Sequence, residues 1–501
     1  VIFHSIDFVI FFLVVLGLYW MLQRKFQNIL LLAASYFFYG YIHRWFLILI
    51  AVSTVNDYFC GLAMAAYPRK KKNFLYMSLA VNLGLLGVFK YFGFFVENIR
   101  SLLNMSGLTA LDSINLGIVV PVGISFYTFQ TLSYTIDIYR GNLTPRKNFI
   151  DFALFVSFFP QLVAGPIERA SRLLPQLEQK RTFNLDTFLE GFHLAVWGFF
   201  KKLVIADNVG FIVNKIFALT DPGFYLLWTG VFAFGIQIYA DFSAYTDIAR
   251  GTAKILGISI TPNFNHPYLA KTPMEFWQRW HISFSTWLRD YLFLPIAYAV
   301  SDRIKSPSLL GLKAETWAYS LGISGTMFLC GLWHGASWNF VGWGVYYGVL
   351  ILAFRGLGKK MTRLFKKSRR GKRKKRARRT QWTAPLRVLF MFFLTNIGWL
   401  IFREQNVSQL VRHFALNPFV SGGSDDKIAL YLFMLTALYS LPLWLHTAYA
   451  RIREKKYAPT PGSSSLTGWP LWTRSAAALL CYLLILFFHS PETTDFIYFQ
   501  F

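Results

Sequence analysis

The chain has 501 residues, of which 55% are hydrophobic, 19% aromatic and only 15% charged. Soluble domains carry about 25% charged residues, and runs approaching the ~20 apolar residues of a bilayer-crossing helix recur here along the whole length, so a soluble globular protein is excluded. The formal charge of +27 would suit a nucleic-acid partner, but it is gathered in runs beside apolar segments, where it reads as a topology signal, and no nucleic-acid partner is expected.

The opening stretch "VIFHSIDFVIFFLVVLGLYWML" has neither a basic n-region nor a small-residue cleavage site. It is expected to be a first transmembrane helix rather than a removable signal peptide. Arg24 and Lys25 follow it, and Arg69 to Lys72 follow residues 27–66, which read as two short helices broken near "GYIHRW". Between Lys72 and Lys359 the apolar stretches near 74–97, 115–136, 152–165, 187–206, 223–240, 291–300 and 318–357 differ in length and several carry polar residues. Some of these are expected to be re-entrant or half-buried, which a membrane permits only where protein or a cavity covers the backbone.

Within this middle region, "KTPMEFWQRWHISFSTWLRDYLFLP" (Lys271–Pro295) starts like a helix: Thr272 precedes Pro273, and Glu275 stands three residues after Thr272, a capping box. Taken as one continuous helix, it puts Trp277, Trp280, Phe284, Trp287 and Tyr291 on one stripe and Gln278, Ser285 and Arg289 on another, with His281 at the margin of the polar one. The tryptophans suit packing or an interfacial belt. The segment as a whole is too polar to face lipid, so Gln278, Trp280 and Ser285 are candidate lining of a substrate passage.

Further on, "GLWHGASW" (Gly331–Trp338) sets His334 in a run from Ile323 to Leu352 with no charged residue. Gly331 and Gly335, one turn apart, predict a close helix approach. They do not explain the histidine, and an ionisable group inside a membrane is a functional hypothesis by default. Gly331, Trp333 and Gly335 join the candidate passage. An apolar setting favours the neutral, proton-accepting imidazole, so His334 and His281 are candidate general bases.

The run "KKMTRLFKKSRRGKRKKRARR" (Lys359–Arg379) holds 14 of the 51 Lys and Arg and no acid. It predicts a cytosolic loop touching anionic headgroups, and Lys366, Arg369 and Arg370 are candidates for drawing in a polyanionic donor. Residues 386–449 then read as two helices, around Pro385–Arg403 and Ile428–Ala448, followed by the basic Arg451–Lys456 and a last span at Leu471–Phe488. With every basic cluster in the cytosol each interval must hold an even number of crossings, as the pairs within 27–66 and 386–449 do, and the N- and C-termini are then expected outside the cytosol. Counted separately from the apolar stretches, about eleven full crossings plus shorter helices are expected.

Neither histidine has a His or acidic partner at ligand spacing such as H-x-x-x-H, so no metal site is expected. Serine-hydrolase elbows, P-loops and dinucleotide fingerprints are lacking too. The cysteines Cys60, Cys330 and Cys481 are scattered in apolar surroundings and read as core filler.

Five stretches in order carry a resemblance: "VPVGISFYTFQTLSYTIDIYRG", "FFPQLVAGPIERASRLLPQ", "ADFSAYTDIARGTAKILGI", "NFNHPYLAKTPMEFWQRWHISFSTWLRDYLFLP" and "GLWHGASW". Together they resemble the bacterial alginate O-acetyltransferase branch of the membrane-bound O-acyltransferase family, over roughly residues 1–403. The resemblance implies one integral membrane domain over residues 1–501, with 359–379 as a basic cytosolic loop and 404–501 as a less distinctive helical part, in a bacterial plasma (inner) membrane. It implies helices around a central funnel and tunnel, the presumed catalytic base at His334 and a second polar position at His281.

By the same resemblance no cofactor is bound, and the donor is a cytosolic thioester. Acetyl-coenzyme A is the simplest donor, and a phosphopantetheine-bearing carrier protein is the alternative. The acetyl group would pass to an extracytoplasmic acyltransferase partner and then to a glycan. A transporter or channel for a glycan precursor or lipid is the competing reading, which predicts intramembrane charges or broken helices in matched halves.

Overall fold

The structure is a computed structural model that describes residues 3, 5–41, 43–106, 119–163, 165–304, 306, 308–366, 384–420, 422–456, 471–490 and 496–497. It is all-α apart from a two-stranded hairpin that pairs Ser308–Leu309 with Leu312–Lys313. The predicted breaks fall in place. The two helices expected within 27–66 are Arg24–Gly40 and Phe46–Ala66, those expected within 386–449 are Ala384–Arg403 and Ser424–Lys456, and the last helix is Leu471–Phe488.

Among the described residues five helices are long and apolar enough to cross a membrane: Phe46–Ala66, Pro68–Met105, Trp338–Leu357, Ala384–Arg403 and Ser424–Ile452. Shorter apolar helices include Ile6–Tyr19 and Phe149–Leu162. Any further crossings of the expected eleven would therefore fall to shorter or more polar helices. Large side chains such as Met21 and Phe487 stand on the outside, exposed as a lipid-facing surface would have them.

The long helix Phe224–Ile255 runs through the middle and packs against Leu185–Phe200, Asp207–Phe217, Ala384–Arg403 and Ser424–Lys456. Its approach to Leu185–Phe200 depends on small residues: a Cβ on Gly191 would lie 2.7 Å from the Gly251 carbonyl oxygen, and one on Gly251 would lie 2.5 Å from that of Gly191. Nothing larger fits without separating the helices. A buried ion triad ties the same helix to its neighbour, with Lys202 Nζ 2.9 Å from Asp207 and 3.0 Å from Asp241. Asp241 also accepts the Ile497 N–H at 2.7 Å, and Phe496 lies 4.1 Å from Tyr245, centroid to centroid, so this C-terminal stretch is packed into the core.

Two of the basic clusters, at Arg24 and at Lys71, lie near the same end of helix Ile124–Arg140. Arg24 donates to the Glu178 carbonyl at 2.7 Å, Arg146 pairs with the Glu178 carboxylate at 2.7 Å, and Lys71 donates to the Tyr139 carbonyl at 3.3 Å beside Arg140. The opposite end of this helix, its N-terminus, meets the ends of Ala314–His334 and Ala384–Arg403.

Candidate active site

Each histidine owes its position to a backbone break. The segment 271–295 does not form one helix. Thr272 caps it as predicted, its side chain accepting the Glu275 N–H at 3.2 Å while Glu275 accepts the Lys271 N–H at 2.9 Å. The helix nevertheless ends at Arg279, and His281, at φ 44°, reverses the chain before a second helix, Ile282–Leu288. A left-handed, non-glycine residue is uncommon and must be held by its surroundings.

Asn263 is one such holder. Its carbonyl accepts the Ile282 N–H at 2.9 Å, and its side-chain oxygen accepts the Ser283 N–H at 3.2 Å and the Ser283 hydroxyl at 2.6 Å. The Ser285 hydroxyl closes the turn on the Trp280 carbonyl at 2.9 Å. Stripe arithmetic at 100° per residue therefore fails across His281. The ring does not border a polar face but is buried, 4.7 Å from Phe242 and 5.0 Å from Phe284 between centroids.

His334 is the last residue of helix Ala314–His334, which Gly335, Ala336 and Ser337 join to the returning helix Trp338–Lys366. The close approach predicted from glycine is present but differently paired. Gly335 lies beyond the helix end in extended backbone, so Gly331 meets Gly344 across the turn: a Cβ on Gly331 would lie 2.2 Å from the Phe340 carbonyl oxygen and 3.1 Å from the Gly344 backbone. Gly331 thus serves packing rather than lining open space. Gly335 faces the Phe340 ring, 2.2 Å from where a Cβ would sit.

The two histidines, 53 positions apart in the sequence, meet in one aromatic cluster. The Trp333 ring centroid is 4.8 Å from His334 and 6.1 Å from His281, and Phe284 is 4.1 Å from Trp333 and 6.2 Å from His334. Trp343 at 4.8 Å and Phe402 at 5.3 Å enclose His334 further. Trp280 packs between Phe264, Phe276 and Trp399 as part of the wall.

Two cavities flank the cluster and share no lining residue. One, of about 560 Å³, is lined by Gln278 with Arg279, Glu275, Asn265 and Thr272. Its neighbour Leu269 adjoins Arg451, a residue of the predicted cytosolic clusters. The other, of about 420 Å³, opens onto Trp333, His334 and Gly335 from the side where helix Ile124–Arg140 begins, with Lys90, Ser125 and Ser337 in its wall. Lys366 ends a helix and its side chain lies outside the described residues, as do Arg369 and Arg370. Among the described residues no group of three or more His, Cys, Asp or Glu could hold a metal ion.

The model of the MBOAT, membrane-bound O-acyltransferase family, matches residues 31–401, a span that contains both histidines and the lining of both cavities apart from Gln405. The chain belongs to the membrane-bound O-acyltransferase family. That makes it an O-acyltransferase and decides against the transporter reading. Among its relatives in this family is the protein of Azotobacter vinelandii named "Probable alginate O-acetylase AlgI", 38% identical over 83% of this chain and 77% of the relative. The Pseudomonas putida protein of the same name is 34% identical over the whole of both chains. The peptidoglycan O-acetyltransferase of Helicobacter pylori is 31% identical over 77% of this chain and 73% of its own length.

Two residues of this site escaped the sequence reading. Asn263 stands in the quoted "NFNHPY" but carries no signal for a turn that begins 18 positions later. Lys90 did carry one, as the only charged residue between Lys72 and Glu97 in an otherwise apolar stretch.

Proposed function

We propose that this O-acyltransferase takes an acetyl group from a cytosolic thioester, most simply acetyl-coenzyme A, and passes it across the bacterial inner membrane for O-acetylation of an exported or cell-surface polysaccharide. An extracytoplasmic transferase would complete the delivery, and both termini would lie outside the cytosol. One observation supports this reading: His281 and His334 meet in a buried aromatic cluster, with one cavity beside it lined by Gln278 and Arg279 and a separate one lined by His334 and Lys90.

In this scheme the thioester arm enters past Gln278, and the acceptor hydroxyl approaches His334 from the far cavity. His334 removes the hydroxyl proton as the new carbon–oxygen bond forms. The carbon–sulfur bond breaks, and the departing thiolate takes up the proton that His334 removed, which returns the imidazole to its neutral form, and the thiol leaves toward the cytosol. A positioned base contributes about 10²–10⁴-fold to such a step. His281, beside the reacting carbonyl, donates to the developing oxyanion or orients the acyl group. Burial among rings limits wasteful hydrolysis of the thioester.

The relatives named for alginate and peptidoglycan acetylation support an acetyl group and a glycan acceptor. The test is release of free coenzyme A from acetyl-coenzyme A by detergent-purified protein given an acceptor. Release that persists undiminished in a folded His334→Ala protein would overturn the role given to His334.

A further inference from the structure

Lys90 lies within the membrane-crossing helix Pro68–Met105, on a widened π-helical turn, Gly87–Tyr91, in a stretch that is otherwise apolar. Such turns are inserted at a local cost and recur at functional sites, and a lysine held at membrane depth calls for a partner. The partners it has among the described residues are neutral. Its Nζ donates to the Trp333 carbonyl, one of the last carbonyls of the helix that ends at His334, and lies 5.5 Å from the centroid of the Trp333 ring. Among the described residues no carboxylate forms an ion pair with it. An ammonium has three N–H groups, so two remain to be used.

Lys90 also lines the far cavity. At about 420 Å³ this cavity falls in the range of small-molecule sites, and it joins that one fixed positive charge to Ser125, Ser337, Gln405 and the face of His334. Among the described residues no acidic one lines it. A half-buried, unneutralised cation favours a ligand that brings the opposite charge, because a charge-assisted hydrogen bond is about twice as strong as a neutral one. We propose that the cavity beside His334 is an acceptor subsite for a hydroxyl compound that carries an anionic oxygen group, carboxylate or phosphate, with Lys90 as its charge partner. This rests on the reading of His334 as the base that meets the acceptor. The bond to the Trp333 carbonyl fixes the ammonium beside that base, so the anionic group and the reacting hydroxyl are read together.

The test is binding of three probes of similar size to the detergent-purified full chain, by saturation-transfer NMR: methyl glucuronide, glucose 6-phosphate and methyl glucoside. One or both anionic probes should bind at least about tenfold more tightly than the neutral glucoside, and which one does distinguishes carboxylate from phosphate. Lys90→Met should remove that difference and Lys90→Arg should keep it. His334→Ala should keep it as well, since charge pairing does not need the base. Equal binding of all three probes by the wild-type protein overturns the subsite without any variant, and so does a preference that survives Lys90→Met. Failure of the catalytic reading looks different: His334→Ala would then retain transfer while the charge preference stood.

Discussion

His334 is surrounded by Trp333, Trp343, Phe284 and Phe402, and His281 by Phe242, Phe284 and Trp333, so each imidazole sits in a setting made mostly of rings. Replacing His334 with alanine should leave a folded membrane protein and cut acetyl transfer by about 10²–10⁴-fold. Expression with wild-type monodispersity and undiminished acetylation in cells is the result that would remove it from the chemistry. For His281→Ala a smaller loss, of about 10²-fold, is expected, as for removal of one oxyanion donor. If turnover is unchanged while donor binding is normal, the ring is structural. At this scale His334 was legible because a lone titratable group in an apolar run is conspicuous in any sequence, whereas His281 was marked by its place at the margin of a polar stripe and by the resemblance. Their meeting was not, because it depends on Trp333 and Phe284 side chains supplied by two separate helices.

Among the elements, the broken segment around His281 depends on a residue outside it. Asn263→Ala leaves the Ser283 N–H and hydroxyl without their acceptor, a cost of about 1–3 kcal/mol for each buried group. The variant should melt several degrees lower and lose transfer through misplacement of His281; thermal unfolding in detergent, read beside turnover, decides, and wild-type values for both would discount the turn. Gly331→Leu has a different expected outcome. Its side chain would meet the Phe340 carbonyl and the Gly344 backbone, so the hairpin bearing His334 should open and the folded yield should fall in size-exclusion chromatography, rather than a passage being plugged. The Thr272 cap, the break between Gly40 and Phe46 and the helix Leu471–Phe488 were readable because caps and apolar runs are local. The reversal at His281 was not, since its hydrogen bonds come from 20 residues earlier than Ser283. Nor was the π-helical turn at Lys90, which displaces every later side chain from its 3.6-residue position.

For the whole molecule, charge sets direction. The run Lys359–Arg379 should attract the phosphates of coenzyme A over the ~8 Å that salt leaves unscreened, so neutralising half of it should raise the Michaelis constant for the donor at low salt with little change in kcat. A cysteine placed in that run and labelled from outside intact cells would reverse the topology instead. The wall between the two cavities has one more consequence. Trp280, His281, Phe284 and Trp333 are buried side by side, and neither cavity reaches through them. If the proposed transfer hands a two-carbon unit through such a wall, it should leave no column of water for protons to follow, and the membrane's electrical insulation should be kept during catalysis. Vesicles reconstituted with this protein should hold a potassium diffusion potential for as long as protein-free vesicles do, and at rest the enzyme should cost its cell nothing in proton-motive force.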